Sequence, residues 1–141
     1  MRRKRKSTDS ASIEVPIFNA EIDVFFGKRE DFEDWLNSSF EIKDPKLSEE
    51  ADAAEGLVFE LEDYGYIGHI GMFLNDFSSK LEKEPHLALG TLSHECVHAA
   101  KSVCESRGMP FDEDNEELAA YLVGFLVQAV LDKCGKVKKK S

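Results

Sequence analysis

Several things are missing from this 141-residue sequence. It has no apolar run near the roughly 20 residues that a helix needs to span a membrane, which excludes a helical membrane segment. Its basic start, Met1–Lys6, runs into Ser7-Thr8-Asp9-Ser10 without an apolar stretch, so it does not read as a secretory signal, and a cytoplasmic protein is expected. The three cysteines, Cys96, Cys104 and Cys134, are an odd number with no CxxC pair. That argues against a disulfide framework and a zinc ribbon, and predicts buried, reduced thiols. There are no internal repeats, and nothing of low complexity beyond the two basic ends. A chain of this length builds one core rather than two.

Charge is segregated. Five bases lie within Arg2–Lys6 and four more among Lys136, Lys138, Lys139 and Lys140. The segment 7–135 holds nine bases against all 28 acids, a net charge of −19. Such a body repels phosphate, so nucleic acid is not an expected partner except weakly through the tails. The division is a basic, disordered tail at 1–10, one domain at 11–135 and a basic C-terminal tail at 136–141.

Within the domain, Ile13–Ala20 contains Pro16 and is at best an edge strand. Ile22–Phe26 is rich in β-formers and closed by Gly27, which predicts a strand. Asp31–Phe40 places Phe32, Trp35, Leu36 and Phe40 on one side of a short helix. Glu41–Gly56 has little apolar periodicity and reads as a surface loop with a helical turn at Ser48–Ala54. Leu57–Leu61 and Tyr66–Leu74 read as an antiparallel hairpin about Asp63-Tyr64-Gly65. From Pro85 or Thr91 to Arg107 the pattern is helical, with Gly108 and Pro110 as the stop. Met109–Asn115 is an acidic loop. Glu116–Lys133 is a second helix, ended by Gly135, that lies against the first. The order of strand, helix, two strands, helix, helix predicts a small α+β domain.

One stretch carries chemistry by its spacing. His94-Glu95-Cys96-Val97-His98 reads H-E-x-x-H. On a helix, residues four apart share a face, so both imidazoles can reach one metal. Glu95 stands one step round, placed to act on water without being a ligand. Zinc catalysis usually takes three protein ligands and leaves one position open. The extended form H-E-x-x-H-x-x-G-x-x-H fails here, because Lys101 occupies the glycine position and Cys104 the last ligand position. No histidine follows His98, and His69 and His86 both precede the helix. The better candidates are adjacent acids that open the next helix, Glu116 and Glu117, 18 and 19 positions after His98. Glu117 shares a face with Ala120, Tyr121, Gly124 and Gln128, a small-residue face suited to close helix approach, and is preferred. A group to steady an oxyanion is not singled out among Tyr64, Tyr66, His69, His86 and Tyr121.

His94–His98 followed by Glu117-Leu118-Ala119-Ala120-Tyr121 resembles the gluzincin branch of the zinc metallopeptidases. The stretches His94–Ala100 and Ala120–Gly124 are similar to those of small predicted metallopeptidases common in phage genomes. The resemblance covers about Gly56–Val130. It departs from the thermolysin-like pattern at Ala120, where that pattern has an aspartate. It implies a minimal zincin-like fold, with a small antiparallel or mixed sheet and the HExxH helix packed against a C-terminal helix. Zinc would sit on His94, His98 and Glu117, and Glu95 would be the general base for hydrolysis of a peptide or protein substrate. A strand with an exposed edge would lie beside the HExxH helix to receive that peptide, and Tyr66–Leu74 is the candidate. The competing reading is a catalytically silent zinc-binding regulatory or interaction module.

Overall fold

The computed structural model describes residues 9–139, with side chains as far as Cys134. The expectations for residues 1–8 and 140–141 lie outside the described residues.

Two-residue alternation builds a sheet with one face in the core beneath the long helices and the other covered over only part of its area. β1 (Ser10–Val15) pairs antiparallel with β2 (Ala20–Phe25). Ile22 and Val24 of β2 join a core beneath the long helices, and Phe25 turns to the other face. There it meets Phe32, Trp35 and Leu36 of α1 (Phe32–Phe40) and Leu47 and Ala51 of α2 (Pro45–Asp52). β3 (Gly56–Glu60) and β4 (His69–Leu74) are antiparallel to each other, and β4 runs parallel to β2. The strand order is β1-β2-β4-β3, a mixed four-stranded sheet. α3 (Phe77–Lys83) leads into α4 (Pro85–Ser106), and α5 (Glu116–Lys139) follows.

α4 lies across the sheet with Ala88, Leu92, Cys96, Ala99, Ala100 and Val103 inward. Four of these six are Ala or Cys, so the helix can approach the strands closely. α5 closes the layer through Leu122, Leu126, Val130 and Cys134, a stripe at four-residue intervals. α4 stops as expected: Gly108 takes a left-handed φ of 73°, and the Met109 N–H returns to the Cys104 carbonyl. Arg107, just after α4, donates to the carbonyls of Phe18 (2.6 Å) and Asn19 (2.7 Å), fastening the β1–β2 turn.

The fold is α+β, as the sequence predicts, but several elements differ. Ser10 already belongs to β1, and α5 passes Gly135 to reach Lys139, so both tail boundaries shift outward. The loop expected at Glu41–Gly56 contains α2. Asp44 caps it by accepting from the Lys46 N–H (3.0 Å), Pro45 takes its first position, and Leu47 and Ala51 are buried. α3 was not foreseen; only one of its residues, Phe77, is buried, so it lacks an amphipathic stripe to read. The expected hairpin pairing holds, but the connection is a 3-10 turn at Leu61–Tyr64 and a further bend, and β4 begins at His69 rather than Tyr66.

The largest correction concerns the exposed edge. β4 is flanked by β2 and β3, so it has no free edge. Its Gly71 is covered by the Phe59 ring, where a Cβ would collide, so close packing within the sheet explains that glycine. The edge strand beside α4 is β3.

The start of β3 is held by Arg29. Its Nε donates to the Ala51 carbonyl (3.0 Å) and its Nη2 to the Ala54 carbonyl (2.5 Å) and to Glu55 Oε2 (3.2 Å). Glu55 also pairs with Lys80. Charge-assisted bonds of this kind contribute about 1.5–3 kcal/mol, so Arg29→Ala is expected to lower unfolding free energy by about that amount in urea titrations. Arg29→Lys, lacking the planar fork, should recover less than half of it. An Arg29→Ala protein with wild-type stability would show that this segment is held by something else.

Candidate metal centre

α4 is a long, regular helix, so the i, i+4 spacing of His94 and His98 stacks them one turn apart on its outer face. Their Nε2 atoms lie 3.2 Å apart. The rings meet edge to face, with centroids 4.7 Å apart and planes at 74°. Two zinc–nitrogen bonds of about 2.0–2.1 Å at a tetrahedral angle set their nitrogens about 3.3–3.4 Å apart. The pair is therefore within about 0.1–0.2 Å of the separation that one tetrahedral ion requires.

Glu95 faces a different environment. It is 6% exposed, one of two buried charged residues among those described. The place for it is made by Gly56 of β3. A Cβ on Gly56 would lie 2.7 Å from Glu95 Cγ and 2.9 Å from its Oε2. Burial pushes the Glu95 carboxyl above its ordinary value, and His94 and His98 pull it partly back.

Positions 56, 58 and 60 of β3 follow α4 along its length. Gly56 meets Glu95, Val58 enters the core beneath α4, and Glu60 accepts a 2.5 Å hydrogen bond from Ser102 Oγ. Between this edge and the helix runs a cleft of about 430 Å³, lined by Gly56, Glu60, His94, Glu95, His98, Lys101 and Ser102 among others. Glu60 and Ser102 are cleft residues that the sequence did not point to, because nothing local places a strand glutamate beside a helix serine 42 positions later.

The acids proposed as third ligand stand elsewhere. Glu116 and Glu117 are exposed at the start of α5 and neither lines the cleft. Among the described residues no third His, Cys, Asp or Glu offers an atom within 4.8 Å of both histidine nitrogens. The small-residue face that carries Glu117 is not the packing face of α5: Ala120, Tyr121, Gly124 and Gln128 are all exposed. The helix turns its leucines inward instead, since burying large apolar chains outweighs the close approach that small ones permit.

Other expected candidates are accounted for. His86 is exposed near the start of α4. His69 pairs with Asp23 at 2.7 Å, and its ring stands edge-on to Tyr66. The Tyr66 hydroxyl donates to the Phe40 carbonyl (2.9 Å) and the Tyr64 hydroxyl to Asp44 (2.5 Å), both away from the cleft. Burial, reinforced by Asp44, pushes the Tyr64 phenol up to about 12. Tyr121 is 60% exposed and stacks on Phe125. The three cysteines are free and buried, as predicted, and burial pushes the Cys96 and Cys134 thiols up to about 12. Among the described residues no helix is long and apolar enough to cross a membrane.

No protein-family model, curated protein or solved structure matches this chain.

The Gly56–Glu95 contact makes a testable contrast between two glycines. Gly56→Ala forces a methyl group into the carboxylate and is expected to destabilise by about 1–3 kcal/mol. Gly124→Ala, on α5 with nothing within 4 Å of the added carbon, should stabilise by about 0.8–1.0 kcal/mol through helix propensity. Urea unfolding of both proteins measures this. Equal, small effects would mean that β3 does not confine Glu95.

Proposed function

We propose that the chain is a zinc-dependent metallopeptidase of gluzincin type, with the cleft between α4 and β3 as its active site. The observation that carries this reading is the convergence of the His94 and His98 Nε2 atoms to 3.2 Å at the mouth of a cleft that also holds Glu95. His94 and His98 would hold a zinc ion through Nε2. Glu117 would complete the set, as the resemblance to the family implies; it stands outside the cleft, so its ligation requires α5 to move toward the pair. Such an ion would supply an electrophile for the scissile carbonyl and make water acidic enough to react near neutral pH.

The chain's own residues do the rest. Glu95 accepts a proton from the attacking water on a carboxylate oxygen and returns it to the leaving nitrogen. Gly56 and the buried face of α4 fix that carboxylate, so little ordering is left for the reaction to supply. Among the described residues β3 pairs only with β4, and its other side runs beside the cleft. An extended peptide can add there as a further strand, through backbone hydrogen bonds that do not depend on its sequence. The expected substrate is accordingly a peptide or an unfolded protein segment.

Metal analysis and turnover test the reading together. The purified protein is expected to carry about one zinc at the histidine pair, to lose it in His94→Ala and His98→Ala, and to cleave peptides from a broad mixture. Glu95→Gln should keep the zinc while turnover falls by about 10²–10⁴-fold, the usual contribution of a general base. Zinc retained without hydrolysis by the wild type would favour the silent binding module, and no zinc at all would overturn both readings. Zinc content of Glu117→Ala, Glu116→Ala and Glu60→Ala assigns the third ligand; the expected loss is in Glu117→Ala alone.

A further inference from the structure

The sheet face opposite α4 is divided. At one end Phe25 and Phe73 lie beneath α1 in an apolar cluster. At the other end the register brings together polar residues. Glu14 stands directly across from Glu21, and Glu21 across from His69, a row over β1, β2 and β4. Two positions along β2, Asp23 faces Ser12 on β1. Glu14, Glu21 and His69 line a separate cavity of about 640 Å³.

The ligating atoms of Glu21, Asp23 and His69 all lie within 4.8 Å of one another. Asp23 is 6% exposed. Ser12 Oγ donates to its Oδ1 at 2.8 Å, and His69 Nδ1 lies 2.7 Å from its Oδ2. Two carboxylates thus flank one imidazole, and a third, Glu14, stands across from Glu21. Like charges directly opposite on an antiparallel ladder destabilise it. A buried carboxylate is costly without a compensating charge. Among the described residues no lysine or arginine forms an ion pair with Glu14, Glu21 or Asp23. His69 is the cationisable partner of Asp23, and a divalent cation would add the positive charge that two further carboxylates call for.

We propose that Glu21, Asp23 and His69 form a second metal site, for a divalent transition-metal cation such as Zn²⁺ or Mn²⁺. One imidazole and two carboxylates suit ions of this borderline class. Ser12 holds the Asp23 carboxylate in place, as outer hydrogen bonds do around metal ligands. β2 and β4 are the two central strands, so the set stands on the rigid part of the fold. The site is separated from His94 and His98 by the thickness of the sheet and is independent of the proposed hydrolysis.

The test uses the full chain with His94→Ala and His98→Ala, stripped with chelator and desalted. Zn²⁺ and Mn²⁺ are titrated in separately, following heat and the unfolding midpoint. This protein is expected to bind about one equivalent of at least one ion and to unfold at higher temperature when loaded. Adding His69→Gln or Asp23→Asn should weaken binding by at least about tenfold. Glu21→Gln guards against simple misfolding: it should also weaken binding, yet leave the metal-free midpoint unchanged or higher by relieving the repulsion with Glu14. The proposal is overturned if the His94→Ala/His98→Ala protein binds neither ion, or if Glu21→Gln and His69→Gln leave its affinity unchanged. It is equally overturned if His69→Gln lowers the midpoint by the same amount with and without metal, which would make His69–Asp23 only a tie between strands.

Discussion

The closeness of α4 to the edge strand is the constraint on which the rest of the candidate site depends. A carboxylate on the inner side of a helix ordinarily costs stability, and here Glu95 is tolerated because position 56 has no side chain. The same closeness requires the alanines and Cys96 on the inner face of α4. With larger residues there, the helix would stand off and the cleft would lose its strand wall. The start of β3 is in turn positioned by Arg29 and Lys80 acting on Glu55, and by the Asn75 N–H donating to the Glu55 carbonyl (2.9 Å). The site thus rests on contacts from α2, α3 and the β2–α1 connection, none of which touches the histidines.

A mixed sheet, covered by α4 and α5 on one face and by α1 and α2 over part of the other, keeps two chemistries apart. One face presents aliphatic residues to α4 and α5, and the outer side of α4 carries the histidine pair. The other presents an aromatic cluster at one end and Ser12, Glu14, Glu21, Asp23 and His69 at the other. Because alternate residues of β2 serve the two faces, Ile22 and Val24 bury in one core while Glu21 and Asp23 form the polar end of the opposite side. That polar end is an acidic concentration in a chain body already strongly negative, and its place on central strands gives it a fixed geometry.

Much of the fold was legible wherever a periodic pattern was strong. The helices from Phe32, Pro85 and Glu116, the strand pairing of β3 with β4 and the glycine stop at Gly108 all rest on signals within a few residues. α2 is longer than the helical turn expected at Ser48–Ala54 and starts earlier, at the Asp44-Pro45 cap; only two of its residues are apolar and buried, which gives little periodicity to read. The small residues beside Glu117 on α5 are exposed rather than packed; small residues at helical spacing suit either close packing or exposure. Only the partner surface decides between these.

The sequence by itself determined the local chemistry. His94 and His98 share a helix face with Glu95 one step round, since the α-helical repeat leaves no other arrangement. The tertiary structure decided what surrounds them. The edge strand is β3 rather than the Tyr66–Leu74 segment, Glu60 and Ser102 join the cleft, Glu117 stands on the exposed face of α5, and His69 belongs to Asp23 and Glu21 across the sheet. Each of these is a relation between residues distant in the chain. Strand order and register fix such relations, and no spacing within one segment encodes them.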